Sequence, residues 1–348
     1  MKKCFIIVAI VLALLCAVAF AIFSHYWQQP SVKYLLTMGG YLPVYGISIT
    51  EERITVNNKT VPLDIYRKKY AHSNTYFVLF HGLTPQAHKH PQLVQMAKSI
   101  AFATGMNVIV PKIPEYFIKD ATLHDVKQGI RSLYSSIVNA YPGHYRAFGA
   151  CLSGTVMLSA FTMLPQNIYP EKILLFGPMF QGNTIKGTLF EKYFDVDFLV
   201  KLTISSNMSM FNPEEKDLIH KAMMSANMGI TDETRMKQIL GDRLFRDISI
   251  VTIDEEYLKK TGARTLLKNY KAIPNCKYFI LHSKTDRIIP FDEGKSLFNF
   301  LKGSGTFSEF LGTELLDHVS GRITVKGFVS ELKYMKHFFD ELFEGDSY

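Results

Sequence analysis

Short apolar runs alternate with amphipathic stretches between residues 75 and 178, and this alternation constrains the fold more than any other feature of the sequence. Uninterrupted apolar runs such as TYFVLF (75–80) and KILLFGP (172–178) are typical of parallel strands that are covered on both faces. The helical stretch that follows the first run is HPQLVQMAKSIAFATG (90–105), where Gly105 is a stop signal. Strands and helices in this order predict a mostly parallel, doubly wound α/β sheet.

Two further strands are predicted before this region, SITEERITV (48–56) and TVPLDIYRK (60–68). In both, polar and apolar residues alternate, which is the pattern of a strand with one solvated face. Because only the short turn NNK separates them, we expect them to pair as a hairpin.

The alternation breaks after the sixth predicted strand. Residues 179–272 contain mainly helical signals, for example NPEEKDLIHKAMMSANM (212–228), in which Asn212 is the expected N-cap. The strand and helix pattern resumes with CKYFILHS, SEFLG and a final helix. We therefore predict a core that is formed by residues 45–178 and 273–348, with a helical lid of residues 179–272 inserted between them.

The first 24 residues carry a separate signal. Lys2 and Lys3 precede nineteen residues without a charge, from Phe5 to Phe23. A bilayer is spanned by about 20 apolar residues, and basic flanks stay in the cytoplasm. We expect residues 5–23 to anchor the protein in a membrane, with the rest of the chain in the periplasm or the extracellular space. Cleavage as a signal peptide, followed by secretion, is the alternative, because small residues are present at Ala17, Ala19 and Ala21.

The net charge of the chain limits the classes of partner that we expect it to bind. The formal net charge is +8, of which Lys2 and Lys3 supply two, leaving +6 for the remainder. These basic residues are scattered, with no run of five, and no nucleic-acid-binding motif is found. We therefore expect no nucleic-acid partner and a mild attraction to anionic membrane surfaces.

Two cysteines, Cys151 and Cys276, remain outside the N-terminal segment. Cys151 follows the end of one predicted strand, whereas Cys276 begins another, so in a parallel sheet they lie at opposite edges. That separation is about 15–20 Å at about 3.3 Å per residue. A disulfide needs Cα atoms within about 7 Å, so we predict that Cys151 is a free thiol.

The stretch RAFGACLSGTVM (146–157) predicts a strand that turns sharply into a helix. It resembles the G-x-S-x-G pattern of a nucleophile elbow, with Gly149 at the first glycine, Cys151 at the serine and Ser153 at the second glycine, followed by Gly154. Small residues are needed two positions before and after the nucleophile, which favours Cys151. A shifted pattern with Ser153 as nucleophile would place Thr155 at one of them and fits poorly. A site without catalysis is the third alternative.

The chain from about residue 48 to residue 345 resembles an α/β-hydrolase. A His-Gly pair follows the third predicted strand, the elbow follows the fifth, and the lid follows the sixth. An acid in HSKTDRIIP follows the seventh strand and a histidine in ELLDHVSG follows the eighth, in the family order. The resemblance implies the α/β-hydrolase fold and a triad of Cys151, His318 and Asp286. It also implies an oxyanion hole formed by the backbone N–H groups of Leu83 and Leu152.

The triad implies acyl chemistry. A thiolate is a strong nucleophile, and the acyl-cysteine that it forms is a thioester, which stays reactive towards water, alcohols, amines and thiols. Cysteine versions of the fold include dienelactone hydrolases, polyhydroxyalkanoate synthases and bile-acid-type N-acyltransferases. We therefore expect an enzyme that cleaves or transfers an acyl group. A lipophilic substrate is suggested by the anchor and by five methionines of the predicted lid: Met208, Met210, Met223, Met224 and Met228.

Two other functions stay open. One is a non-catalytic binding protein on a hydrolase scaffold, in which the serine was replaced because nucleophilicity no longer mattered. The other is a serine esterase that uses Ser153. The HKH sequence at His88 and His90 resembles a metal site, but no further ligand stands at a suitable spacing. We expect neither a metal nor another cofactor.

Overall fold

Strands and helices alternate along the chain as the apolar runs predict. A computed structural model describes residues 28–82, 87–114, 123–180, 202, 205, 210–227, 233–250, 267, 270–286, 289–314 and 325–345. The strands are β1 (Ile47–Val56), β2 (Lys59–Lys68), β3 (Thr75–Phe80), β4 (Asn107–Pro111), β5 (His144–Ala150), β6 (Lys172–Phe176), β7 (Lys277–Ser283) and β8 (Ser308–Thr313). The α-helices are α1 (Pro30–Met38), α2 (Pro91–Thr104), α3 (Leu123–Ala140), α4 (Cys151–Phe161), α5 (Pro213–Asn227), α6 (Glu233–Ser249), α7 (Phe291–Gly303) and α8 (Val325–Phe343).

Within these residues, eight strands form one sheet in the order β1-β2-β4-β3-β5-β6-β7-β8. The predicted hairpin is confirmed, because β1 pairs antiparallel with β2 across a two-residue turn. Asn57 and Asn58 take φ angles of 48° and 62° in that turn, the left-handed values that tight hairpins require. β2 pairs antiparallel with β4, and the remaining neighbours are parallel. The predicted mostly parallel, doubly wound α/β sheet is confirmed.

Hydrophobic clusters cover both faces of the sheet. Along β3, Val78 and Phe80 pack into the cluster that includes α3, α4 and α7. Phe77 and Leu79 pack into the opposite cluster with α1, α2 and α8. Because successive side chains of a strand point to opposite faces, a strand that is covered on both sides needs an unbroken apolar run. This explains why TYFVLF predicts the bounds of β3 correctly.

The helical signals of residues 179–272 are confirmed where the structure describes them. The Asn212 side chain accepts the backbone N–H of Glu215 at 3.0 Å, and the Glu215 carboxylate accepts that of Asn212 at 2.9 Å. This capping box starts α5 as predicted. α5 and α6 share a hydrophobic cluster of their own, which includes Phe211, Ile219 and Leu240. That these helices act as a lid, and the domain bounds themselves, remain predictions.

Helix α1 has no counterpart in the sequence analysis. Tyr34 packs on Phe339 of α8 with ring centroids 4.6 Å apart, and the Ser31 hydroxyl donates to Asp340. On the other side, the amide of Gln95 in α2 donates to the Thr37 carbonyl at 2.9 Å. α1 therefore belongs to the folded core.

The predicted anchor, residues 5–23, lies outside the residues that the structure describes. Among the helices that are described, none combines the length and the apolar character that crossing a bilayer requires.

Candidate active site

The candidate site is built around the junction of β5 and α4. β5 ends at Ala150, whose extended backbone has φ −95° and ψ 144°, and α4 begins at the next residue, Cys151. Cys151 takes a φ of 54°, in the left-handed region. A residue with a Cβ reaches this region at a cost of about 1–2 kcal/mol. The predicted sharp turn from strand to helix is therefore present, with Cys151 at its apex and its side chain half-buried.

The elbow requires two glycines. A Cβ on Gly149 would lie 2.6 Å from the Cα of Gly154 and 3.1 Å from the terminal methyl of Met157. A Cβ on Gly154 would lie 2.9 Å from the Gly149 carbonyl oxygen. Strand and helix thus meet with no room for a side chain at either position. In this turn Gly154 makes the close approach to the strand.

Ser153 lies within α4 and is fully buried. Its hydroxyl donates a hydrogen bond to the backbone carbonyl of His81 at 2.5 Å. The side chain therefore joins the elbow to the loop after β3. A hydroxyl that is buried and bound in this way is poorly placed to attack a substrate.

The loop after β3 lies directly beside Cys151. A Cβ on Gly82 would be 3.4 Å from the Cβ of Cys151, which is ordinary van der Waals contact, so the two residues are direct neighbours. Leu83, the predicted oxyanion donor, lies outside the described residues. Leu152 lies in the first turn of α4, where backbone N–H groups have no partner within the helix.

His81 holds this loop in place. The backbone N–H of Ile113 donates to its Nε2 at 2.9 Å, so Nδ1 carries the proton and donates to the Gly82 carbonyl at 2.7 Å. Burial lowers the pKa of His81 to about 3, so the ring is neutral at physiological pH. Sequence analysis used His81 only as part of the His-Gly pair and missed this role, because the bond to Ile113 links residues far apart in the sequence.

Asp286 lies three residues beyond the end of β7, and its side chain is 1% exposed. One carboxylate oxygen accepts the backbone N–H of Ile289 at 2.8 Å. The other lies 3.4 Å from Nε2 of His282, which in turn donates to the Ile289 carbonyl at 2.9 Å. The turn that carries Asp286 is thus held by two hydrogen bonds with the backbone of Ile289, one from Asp286 and one from His282.

His282 was not foreseen as part of the site. It is the sixth residue of β7 and is fully buried. Its ring leaves no room for a side chain on Gly294, because a Cβ there would lie 2.2 Å from the Nδ1 of His282. A histidine inside an otherwise apolar buried strand is the signal that could have identified it.

The carboxyl ends of the parallel strands bring these residues to one edge of the sheet. Phe80 at the end of β3 pairs with Gly149, and Ala150 at the end of β5 pairs with Phe176. β6 alone separates β5 from β7, so the strands that lead to Cys151 and Asp286 are about 10 Å apart.

His318 lies outside the described residues, but both ends of its segment are described. β8 ends at Thr313, which pairs with Ser283 of β7. Glu331 of α8 accepts the Thr313 hydroxyl and the backbone N–H of Glu314, the latter at 3.1 Å. The segment between β8 and α8 therefore starts at the same edge as Asp286.

The prediction for the two cysteines is confirmed. Neither Cys151 nor Cys276 forms a disulfide, and Cys276 is buried where β7 begins, at the opposite edge from Cys151.

His88 is buried in the short turn Ala87–Lys89, and Lys89 bridges Glu51 and Asp64, at 2.5 and 2.9 Å. Across the described stretches, no group of three or more His, Cys, Asp or Glu side chains is arranged to hold a metal ion.

Comparisons with known proteins bear on the fold. No protein-family model matches the chain, and no curated protein matches it either. Among solved structures, a variant of the esterase rPPE in complex with (S)-Ac-CPA is similar over 91% of this chain and 90% of its own, with 14% identity and a TM-score of 0.50. A second rPPE variant has 13% identity, the same coverages and the same TM-score.

A thermostable esterase from Pseudomonas putida also aligns, over 91% of this chain and 90% of its own, with 15% identity and a TM-score of 0.49. At identities this low, structural similarity identifies a shared architecture and leaves the chemistry to be argued from the residues. The strand order, the turn at Cys151 and the similarity to rPPE lead to one conclusion. The protein has the α/β-hydrolase fold.

Proposed function

We propose that the protein cleaves or transfers the acyl group of an ester or thioester through an acyl-cysteine intermediate on Cys151. The observation that carries the proposal is the backbone of Cys151, which is held at a φ of 54° between β5 and α4. Strain of this kind persists only where the surrounding structure imposes it, and it concentrates at functional sites. The side chain of Cys151 also lies beside the Gly82 loop, since a Cβ on Gly82 would be 3.4 Å from its Cβ.

In the proposed reaction, His318 takes the thiol proton and the Cys151 sulfur attacks the carbonyl carbon. A C–S bond forms, and the π electron pair of the carbonyl moves to oxygen, where the N–H groups of Leu83 and Leu152 stabilise the charge. Collapse of this intermediate breaks the bond to the leaving group, which takes the proton from His318. Asp286 accepts the Nδ1–H of His318 and stabilises the imidazolium.

The acyl-cysteine is then released by a second nucleophile. Water would give a carboxylic acid, whereas an alcohol, amine or thiol would give a transferred acyl group, and in each case His318 takes the proton of the attacking group. The Cys151 sulfur then leaves as a thiolate and takes this proton back from His318, which regenerates the thiol. Hydrolysis and transfer therefore share every residue of the site and differ only in the acceptor.

The proposal also covers location and substrate. The uncharged stretch 5–23 after Lys2 and Lys3 supports an N-terminal anchor, with the catalytic part outside the cytoplasm. A cleaved signal peptide would give a secreted form of the same enzyme. The methionines of the predicted lid, in a chain with a proposed membrane anchor, support a lipophilic acyl group.

The decisive experiment incubates the full-length chain in mild detergent with short- and long-chain p-nitrophenyl esters, followed by peptide mapping for a trapped acyl group. We expect an adduct on Cys151, and a loss of activity of at least about 1,000-fold in Cys151→Ala, because removing a nucleophile of this kind has such an effect. In His318→Ala the adduct should form slowly. Cys276→Ala is the matched control and should retain activity, since its thiol lies at the other edge of the sheet.

Two outcomes would contradict the proposal. An adduct on Ser153, with activity retained in Cys151→Ala, would identify a serine esterase. No adduct with any ester, together with alkylation of Cys151 no faster than that of a free thiol, would favour a binding protein on this scaffold.

A further inference from the structure

A group of basic and tyrosine side chains lies at the edge of the sheet opposite Cys151; Lys69, Tyr45 and Tyr70 are exposed, and Lys33 and Lys68 are half-buried. It consists of Lys33 in α1, Tyr45 before β1, and Lys68, Lys69 and Tyr70 where β2 ends, and is called the basic–tyrosine patch below. Tyr45 is 65% exposed and Tyr70 96% exposed. Single exposed aromatic rings are common on protein surfaces, whereas rings grouped with lysines form a surface that a partner can contact.

The members of the patch are held together by described contacts. The ring of Tyr45 packs on that of Phe102 with centroids 4.9 Å apart, and the ammonium of Lys68 lies 5.5 Å from the same ring. The backbone N–H of Lys69 donates to the Gly46 carbonyl at 2.8 Å. The loop before β1 and the turn after β2 thus form one surface.

The positive charge of the patch is not neutralised. In the described part of the chain, none of Lys33, Lys68 and Lys69 forms an ion pair with a carboxylate. Burial lowers the pKa of Lys33, and the nearby positive charge of Lys68 lowers it further. Lysines left close together without acids favour a negatively charged partner.

The N-terminal segment leaves the fold from the same side. Ser31 at the start of α1 bonds to Asp340 near the end of α8, and Lys33 is two residues further along α1. Only six residues separate Phe23, the end of the uncharged stretch, from Pro30. A chain of this length reaches at most about 25 Å. A bilayer around residues 5–23 would therefore lie within reach of the patch.

We propose that the basic–tyrosine patch binds the anionic surface of a lipid bilayer, and that this contact orients the catalytic domain. The inference rests on the anchored form of the proposed function. Lysine side chains extend their charge to lipid phosphates, while tyrosine rings sit at the level of the headgroups. Each lysine near an anionic leaflet strengthens binding by about fivefold.

The contact fixes which way the site faces. The patch lies where β2 ends and β3 begins, whereas Cys151 follows the far end of β5, which runs parallel to β3. The six residues of β3 separate the two edges by about 20 Å. A domain docked through the patch presents Cys151 to the aqueous side, and its substrate arrives from there.

The test compares hydrogen exchange of the full-length chain in nanodiscs of phosphatidylcholine with that in nanodiscs containing one quarter phosphatidylglycerol. We expect amides of residues 41–46 and 68–74 to exchange at least threefold more slowly in the anionic discs. The double variant Lys33→Glu/Lys69→Glu should lose this protection, and 0.5 M salt should weaken it. Lys59→Glu reverses an exposed charge at the other end of β2 and should behave as the unmodified chain does.

Equal exchange in both kinds of disc, or an equal effect of Lys59→Glu, would overturn the inference while leaving the anchor in place. Failure of the chain to co-float with neutral vesicles would instead contradict the anchor. In that case the proposed lipid contact of the patch is tested by co-flotation of the chain with anionic vesicles. Co-flotation supports the contact only if the double variant no longer co-floats.

Discussion

Cys151 occupies a backbone conformation that glycine would adopt more easily. At a φ of 54°, the Cβ crowds the neighbouring carbonyl, and the unfolded chain is free of this strain. The site therefore keeps its thiol at the expense of stability, which is common where a catalytic group must project from a tight turn.

This strain gives a prediction for two variants of Cys151. Cys151→Gly should have a free energy of unfolding about 0.5–1 kcal/mol higher than Cys151→Ala, because glycine reaches this φ without steric cost. Urea denaturation of both variants measures the difference. Ala150→Gly is the control: Ala150 has an extended backbone, so glycine there should be destabilising. An alanine variant at Cys151 as stable as the glycine variant would show that the turn is unstrained.

His81 makes stability depend on pH. Its pKa is about 3 in the folded protein, through burial above all and with smaller contributions from His88, His90 and Lys112, against 6.5 for an exposed histidine. Because the folded state favours the neutral ring, this contribution is fully present above pH 6.5 and is lost as the pH falls towards 3. The loss reaches about 2 kcal/mol at pH 5.

The check is urea denaturation at pH 7.5 and pH 5. His81→Gln, which keeps a donor and an acceptor but does not titrate, should lose about 2 kcal/mol less between the two values than the unmodified chain. His72→Gln, at an exposed position, should leave the difference unchanged. If His81→Gln has the same pH dependence as the unmodified chain, His81 is not the group responsible.

Among the elements, α8 depends on two buried cations from the sheet. Arg146 of β5 donates to the carbonyls of Leu342 and Glu344, both at 2.8 Å, and Lys172 of β6 donates to that of Glu341 at 2.6 Å. The last carbonyls of a helix lack partners within it and carry partial negative charge. Side chains of β5 and β6 thus cap the C-terminal end of α8, the helix that follows the segment containing His318.

Removing this cap should be costly. Arg146→Met is expected to lower the free energy of unfolding by about 2–4 kcal/mol, since it leaves buried carbonyls without donors. Arg243→Met is the control, because Arg243 pairs with Glu215 at the surface, where ion pairs contribute about 0–1 kcal/mol. Equal losses of denaturation midpoint in the two variants would contradict the role of Arg146.

Elements with a strong local signal were predictable from the sequence, and those that depend on distant contacts were not. β3 and β6 follow from apolar runs, and α5 follows from its Asn212 cap. By contrast, α1 is nine residues long and is stable only through α2 and α8. The elbow was predictable because its small residues are adjacent in sequence. The role of His81 was not, because its partner Ile113 comes from another loop. The role of His282 was not either, because its contacts with Asp286 and Ile289 depend on how the turn after β7 folds back.

For the whole molecule, α1 joins the N-terminal segment to the core. Tyr34 and Leu35 are 3% and 1% exposed and pack among residues of α2 and α8. Burying each such side chain contributes about 1.5–3 kcal/mol. α1 is therefore part of the hydrophobic packing on this face of the sheet.

Truncation tests this role. A chain of residues 24–348 should unfold at about the same urea concentration as the full-length protein in detergent. A chain of residues 40–348 should lose about 4 kcal/mol or more, because two large side chains no longer cover the core. Similar midpoints for the two truncated chains would mean that α1 is dispensable for the fold.

The opposite placement of Cys151 and Cys276 determines how the proposed active site would respond to oxidants. Peroxide converts a reactive thiolate to a sulfenic acid, which is rescued when a second thiol condenses with it. Cys276 cannot supply that thiol, since it lies at the far edge of the sheet and burial raises its pKa, which keeps it protonated. Within the described residues, oxidation at Cys151 would then act as damage that an external reductant must reverse, and not as an internal switch.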